Sequence, residues 1–335
     1  MTHPNVLVFG TGGIGSIYAS LLAPAYASVT CVCRSNYHAV KNNGITINGP
    51  GNNISVRPSH VVSSVADAAA HRPYDFILVA SKAFPGANPD TPSLIASVIT
   101  PERTVIVLLQ NGIGIEDEYR TAFPNNPLLS GVVYLPANQT APGVVSMGNF
   151  NRLEIGTYPA EPADGDSAAA GMLRILRDVV RPAGVDVQLY DDVQPRRWSK
   201  LLVNASWNPI CALTLCSDVD YMASSVAALP FVRSVMSEVV SIAQALGHAE
   251  VDEKEADRQI GRAQARVGTK GVEPSMLSDV KAGKPMEVEA ILGNTVRIAE
   301  EIGVATPGLM ALYALAKGLG EGLRQKQVEE RDVVY

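Results

Sequence analysis

Residues Asn5 to Gly15 read NVLVF followed by GTGGIG, and this stretch decides the fold. Asn5–Phe9 is an apolar run that predicts a strand, and a helical pattern runs from about Ile14 to Leu22. Between them Gly10, Thr11, Gly12, Gly13, Ile14 and Gly15 form a GxGxxG turn. In a strand–turn–helix unit each glycine has its own task. Gly10 makes the tight turn, Gly12 lets the backbone approach a pyrophosphate, and Gly15 lets the helix lie close to the strand. The helix N-terminus then offers N–H groups without intrahelical partners to the phosphates. These six residues are the candidate cofactor-binding turn.

The residue after the second strand selects the dinucleotide. A carboxylate there would accept hydrogen bonds from the ribose hydroxyls of NAD, whereas a cation suits the 2′-phosphate of NADP. Val29–Cys33 predicts that strand, and Arg34 follows it in Cys33-Arg34-Ser35-Asn36. No Asp or Glu occurs between Gly15 and Asp67. The expected cofactor is therefore NADP(H), with Arg34 on the 2′-phosphate.

The alternation of strands and helices continues, as in a parallel α/β sheet. Gly44–Asn48 and Asn53–Val56 predict a polar hairpin, while Asp75–Ala80 (DFILVA) and Thr104–Leu109 (TVIVLL) predict strands covered on both faces, with a helix over Thr91–Ile99 between them. The loops after those two strands are Ser81-Lys82-Ala83-Phe84 and Gln110-Asn111-Gly112-Ile113-Gly114. Ligands sit outside the carboxyl ends of strands in such sheets, so Lys82 and Asn111 are candidate cofactor-binding residues. A β-like stretch spans Leu128–Tyr158; a Pro/Gly/Asp-rich linker (Pro159–Asp166), a helix (Ala168–Val180) and a strand (Val185–Leu189) follow.

After about Asp191 the strand patterns stop. Helices are expected near Trp198–Ala212, Val226–Ala245, Glu253–Val267, Met286–Ile302 and Pro307–Leu323, with Gly247 and Gly303 as C-caps. The fold class is α/β: an N-terminal Rossmann-type dinucleotide-binding domain over 1–190 and a C-terminal all-helical domain over 191–335. The cleft between two such domains is the default site.

Composition agrees and excludes other classes. A chain of 335 residues implies about two domains at roughly 150 residues each. With 47% hydrophobic and 18% charged residues it has material for large cores and is not a disordered chain. Lys+Arg 27 against Asp+Glu 33 gives a net charge of −6, which speaks against a nucleic-acid partner. Four cysteines are too few for a disulfide scaffold and read as small buried hydrophobes. The five histidines have no metal-ligand spacing, so no metal is expected. No apolar run reaches the roughly 18 residues of a membrane span, and a cytoplasmic setting is the default.

In the helical half, Lys200, Asn204 and Asn208 stand at i, i+4 and i+8 among Leu201, Leu202, Val203 and Ala205. On a helix they share one face, making a polar stripe on an apolar rod. One ammonium and two amides can address the carbonyl, hydroxyl and carboxylate oxygens of a keto acid. An inter-domain hydrogen-bond network is the alternative reading. Ser275 reads equally as a helix cap, and Glu287 and Glu289 as carboxylates favoured by a helix dipole.

Taken in order, GTGGIG, Arg34, Ser81-Lys82-Ala83, LLQNGIG, W-x-K-LLVNA-x-x-NP and PSML-x-D-x-x-x-G-K-P-x-E resemble the ketopantoate reductase (2-dehydropantoate 2-reductase) family over nearly the whole chain. The resemblance implies NADPH-dependent reduction of 2-dehydropantoate to (R)-pantoate, a step toward pantothenate and coenzyme A. It implies Lys200 as the catalytic lysine that protonates the carbonyl oxygen, and Glu287 as the acidic residue that maintains the active-site arrangement. It also implies Asn204, Asn208 and Ser275 as substrate-binding groups, with Asn111 and Lys82 on the cofactor and substrate side. Such a protein would have a small 2-keto acid as its partner, and a homodimer is compatible with it. The sequence departs from the family at Leu292, where an Asn often precedes the glycine. Another branched 2-keto acid as substrate, or a non-catalytic NADP sensor, are the alternatives. Because Arg34 stands where NAD enzymes place a carboxylate, kcat/KM with NADPH is expected to exceed that with NADH; a preference for NADH would contradict the assignment.

Overall fold

The structure is a computed structural model that describes residues 4–23, 28–51 and 53–332, with side chains to 327. The chain divides into two compact units, Met1–Asn111 with Ile115–Val193, and Gly112–Gly114 with Gln194–Tyr335.

In chain order the first unit comprises β1 (Asn5–Phe9), α1 (Gly13–Leu22), β2 (Ser28–Val32), α2 (Tyr37–Asn43), β3 (Ile45–Asn48), β4 (Asn53–Val56), β5 (His60–Val62), α3 (Val65–Ala68), β6 (Phe76–Val79), α4 (Thr91–Ile95), β7 (Val105–Leu108), α5 (Glu116–Ala122), β8 (Leu128–Tyr134), β9 (Ala137–Ala141), β10 (Val144–Met147), β11 (Arg152–Thr157), α6 (Ala168–Val180) and β12 (Asp186–Leu189). Eight strands form one sheet in the order β12-β11-β8-β7-β6-β1-β2-β5. From β8 to β5 every pairing is parallel. β11 pairs antiparallel with β8, and β12 parallel with β11. The chain moves outward from β1 to β2 and β5, then returns to the other side of β1 for β6, β7 and β8. The order thus reverses between β1 and β6, the switch point at which doubly wound sheets bind ligands.

β6 (FILV) and β7 (VIVL) are buried at every position, as strands covered on both faces must be. Register then sets the edge of the sheet. Phe9 pairs with Val32 and Val79, and Val79 with Leu108. The loops that begin at Gly10, Cys33, Ala80 and Leu109 therefore leave the sheet in one row.

The polar hairpin forms as β3–β4 but does not stand alone. β3 also pairs in parallel with β10, and β10 antiparallel with β9, giving a second sheet in the order β4-β3-β10-β9. Ile45, Ile47 and Val145 are buried there. The Pro159–Asp166 segment is tied down rather than loose. Asp191 accepts from the Ala163 N–H at 2.7 Å, and Arg174 donates to the carbonyls of Ala163 and Gly165.

The second unit is helical: α7 (Gln194–Thr214), α8 (Asp218–Ser224), α9 (Ala228–Ala245), α10 (Glu253–Gln264), α11 (Ser275–Lys281), α12 (Asn294–Glu301) and α13 (Pro307–Asp332). Trp198, Leu201, Leu202 and Ala205 of α7 share a core with Val232, Val235, Met236 and Val239 of α9 and with Leu309. Gly247 and Gly303 take φ of 91° and 72° at the ends of α9 and α12, as glycine caps do. The expected helix over Met286–Ile302 is interrupted: Glu289–Gly293 is a π turn, and α12 begins only after it. α13 continues to Asp332 instead of stopping at Leu323, because its polar last turns remain helix formers and carry a Glu321–Arg324 pair.

Cys31, Cys33 and Cys211 are buried and Cys216 is half-buried, all as free thiols. Burial pushes the pKa of the Cys211 thiol up to about 12, so it behaves as an apolar residue. Among the described residues no single helix is long and apolar enough to cross a membrane.

The contact that holds α1 against β1 is testable. A Cβ on Gly15 would collide with the Gly10 carbonyl oxygen and press on Ala80 Cβ at 3.2 Å. Gly15→Ala is expected to lower stability by about 1–3 kcal/mol, read from the denaturation midpoint. An unchanged midpoint would contradict this packing.

Candidate active site

The glycine turn is built by close approach. Gly10 has φ +94°, and a Cβ on it would run into the backbone nitrogen of Ser81, in the loop after β6 that carries Lys82. Only glycine satisfies both the left-handed conformation and that contact. At Gly12 the reverse holds: among the described residues nothing lies within 4 Å of a Cβ position. Gly12 is also the N-cap of α1 and makes no side-chain cap bond, so the first N–H groups of this helix are left for an external anion. Such an open backbone at an uncapped helix start fits a pyrophosphate.

Thr11 joins this turn to the end of β2. Its hydroxyl donates to the Val32 carbonyl at 2.7 Å and accepts from the Cys33 thiol at 3.3 Å. Asn36 Nδ2 donates to the Thr11 carbonyl at 2.6 Å, and Asn36 is buried. Arg34, exposed between these two anchors, is thereby held next to the glycine turn by a short covalent span. In the sequence Asn36 reads as an ordinary turn residue and does not stand out as part of a site. Its signal is a polar side chain two positions after Arg34 with a helix starting behind it.

The other two loops of the row are also linked. Gln110 Nε2 donates to the Ser81 carbonyl at 3.0 Å, and the Tyr119 hydroxyl donates to Gln110 Oε1 at 3.0 Å. Lys82 and Asn111, both half-buried, stand beside these anchors in the chain. The first unit thus gathers the turn, Arg34, Lys82 and Asn111 at one edge of one sheet.

In the second unit α7 carries the polar stripe. Lys200 and Asn204 are half-buried and Asn208 is buried, while Leu201, Leu202 and Ala205 fill the core. Ser275 Oγ donates to Asn208 Oδ1 at 3.3 Å, which brings the start of α11 onto the stripe. The cap reading of Ser275 does not hold, since Pro274 occupies the N-cap and Ser275 is the first helical residue. Pro209 lies within α7 and has no N–H to give the Ala205 carbonyl, a local break in the helix ladder next to Asn208.

Glu287 is buried two residues before the π turn. Glu289, inside that turn, is an ion-pair partner rather than a dipole-favoured helix start: it meets Arg297 at 3.0 Å and Lys317 at 2.8 Å. Burial disfavours its ionised form more than any other single effect. Hydrogen bonds from Lys317, Arg297 and Tyr313 together outweigh it and hold the carboxyl below its usual range. Leu292 is fully buried in the helical core. Among the described residues no three of His, Cys, Asp and Glu converge as metal ligands. His3 lies outside the described residues.

A family model described as Ketopantoate reductase PanE/ApbA matches residues 6–160, and the model of the C-terminal part of the same family matches residues 192–320. An uncharacterized protein of Saccharomyces cerevisiae is 32% identical, over 93% of this chain and 92% of its own. Among solved structures, 2-dehydropantoate 2-reductase from Methylococcus capsulatus is 34% identical, with a TM-score of 0.81 over 95% of this chain and 97% of that one. D-mandelate dehydrogenase, solved with NADH and anilino(oxo)acetate, is 22% identical and shares the fold, with a TM-score of 0.80 over 96% and 99% of the two chains. Both parts of one family are matched in order along a single chain, and the protein therefore belongs to the ketopantoate reductase PanE/ApbA family.

Proposed function

We propose that this protein uses NADPH to reduce a branched 2-keto acid, and that its substrate is 2-dehydropantoate, which becomes (R)-pantoate on the way to pantothenate. The observation that carries this reading is the stripe on α7, in which Asn208 is fixed by Ser275 and shares a face with Asn204 and Lys200. From Lys200 onward this face presents one ammonium and two amides between core leucines, with Arg196 one turn before Lys200.

The residues present suit the cofactor. Gly10–Gly15 and the open start of α1 would take the pyrophosphate, Arg34 the 2′-phosphate, and Lys82 and Asn111 the part nearer the substrate. When bound, the reduced nicotinamide supplies a hydride to a carbonyl carbon. Arg34 is the reason to favour NADPH over the NADH held by D-mandelate dehydrogenase.

The helical unit's own residues do the remaining work. Lys200, on a helix whose neighbours are locked in the core, offers its ammonium to the carbonyl oxygen. It offsets the negative charge that builds there and then gives up a proton, leaving an amine that solvent recharges. Asn204 and Asn208 can hold the carboxylate and the substrate's hydroxyl, and Ser275 orients Asn208. Glu287 supports the arrangement from its buried position before the π turn.

A second reading is the same chemistry on an aromatic 2-keto acid, favoured by the fold shared with D-mandelate dehydrogenase. Two measurements separate the readings. In a panel of 2-keto acids, ketopantoate is expected to exceed 2-ketoisovalerate and benzoylformate in kcat/KM. A site built to bond a hydroxyl penalises an analogue without one; a preference for benzoylformate would favour the second reading. Lys200→Ala is expected to lower kcat by roughly 10²–10⁴-fold while NADPH affinity is retained. Near-normal turnover in that variant would refute the role of Lys200. NADPH binding without oxidation by any 2-keto acid would point instead to a sensor.

A further inference from the structure

The Glu289–Gly293 π turn lies outside the stripe formed by Lys200, Asn204 and Asn208. A π turn moves carbonyls off their ordinary helix partners, and such turns gather at functional sites. Here an acceptor is redirected: the Ala290 carbonyl accepts the Ile113 N–H at 3.1 Å. Asn294 Nδ2, at the start of α12, donates to the Ile113 carbonyl at 2.7 Å. Both backbone polar groups of Ile113 are thus held by this one stretch of chain. The neighbouring Gly112 carbonyl accepts from Arg197 Nη1 of α7 at 3.1 Å. Gly112 has φ +106°, and a Cβ on it would stand 2.5 Å from the Ala290 carbonyl oxygen, so the approach requires glycine.

A chain of polar groups orients Asn294. Its Oδ1 accepts from Arg297 Nη2 at 2.6 Å, which turns its amide nitrogen toward Ile113. Arg297 Nη1 donates to Glu289 Oε2 at 3.0 Å. Glu289 Oε1 takes Lys317 at 2.8 Å and the Tyr313 hydroxyl at 3.0 Å, both from α13. The Glu289 carboxylate folds back over Gly293, where a Cβ would collide with Oε2 and meet the Arg297 guanidinium at 3.2 Å. Gly293 itself has an ordinary helical backbone, φ −59° and ψ −51°. A Cβ there would displace the carboxylate and the guanidinium rather than strain the backbone.

We propose that Glu289, Arg297 and Asn294 are positioning residues that lock the Gly112-Ile113-Gly114 segment onto the π turn, and thereby fix Glu287 and the chain that follows Asn111. The proposal rests on the reductase reading above for the importance of Glu287 and Asn111. None of the three residues has to touch the substrate. Their effect passes through the backbone of Ile113 and through the turn that begins two residues after Glu287. The network joins three side chains around one partly shielded carboxylate, so it is a stronger clamp than an isolated exposed ion pair.

The test uses the full chain with Asn294→Ala and Gly293→Ala, and Arg324→Ala on the exposed face of α13 as a control. Amide hydrogen exchange of Ile113, NADPH dissociation constant, melting temperature and kcat with ketopantoate are measured. Both variants are expected to speed Ile113 exchange and to lower kcat by roughly 10- to 100-fold, with a smaller loss of NADPH affinity and the control unchanged. Gly293→Ala is the sharper case, because alanine in a helical position would otherwise favour folding. Unaltered Ile113 protection would overturn the lock, and faster exchange with wild-type kcat would overturn its positioning role. If the wild-type protein reduces no 2-keto acid, the reductase reading fails separately. Ile113 exchange then still decides whether the lock exists.

Discussion

β1 can pass directly into α1 only because two positions lack side chains. Gly10 turns in the left-handed region against the backbone of Ser81, and Gly15 lets α1 settle onto the Gly10 carbonyl. Everything that follows in the first unit depends on this close approach. It brings the start of α1 to the place where the strand order reverses between β1 and β6. The common register of β1, β2, β6 and β7 then releases Gly10, Arg34, Lys82 and Asn111 from the same edge of the sheet. Thr11 and Asn36 convert that alignment into a fixed arrangement through three hydrogen bonds. An acidic protein can address an anionic dinucleotide in this way, because a helix start and a few placed cations act locally while net charge describes the whole surface.

The helical unit follows a different physical rule. α7 is surrounded by the core, so a polar residue on it must be satisfied or serve a ligand. Asn208 is satisfied in part by Ser275. Spacing by four keeps Lys200, Asn204 and Asn208 on one face with about 40° of drift per step, so periodicity alone reveals the stripe. Its chemistry then follows from residue type: amides donate and accept, and an ammonium only donates.

Much of this is legible in the sequence because it is local. A glycine turn between a strand and a helix, all-apolar runs such as FILV and VIVL, and a polar residue every fourth position each announce themselves within a short window. What stays hidden depends on partners far away in the chain. The β4-β3-β10-β9 sheet pairs Thr46 with Val144, and no local pattern records that register. The π turn looks like plain helix in the sequence because its core is apolar throughout, with Ala290, Ile291 and Leu292 all buried. Gly293 and Glu289 carry its signal only in combination, since the glycine makes sense once the carboxylate is known to lie over it. Ser275 illustrates the reverse: a serine after proline at a helix start invites a capping role, and the structure gives that position to Pro274.

The proposed reduction places a hydride on C2 of ketopantoate while Lys200 gives a proton to its oxygen. It is tested most directly by a single turnover with NADPH doubly deuterated at nicotinamide C4, followed by mass spectrometry and proton NMR of the product. The account predicts pantoate carrying one deuterium, located at C2, and none detectable over the same time with Lys200→Ala. Oxidation of the labelled cofactor without deuterium at C2, or equal labelling by the Lys200→Ala protein, would contradict it.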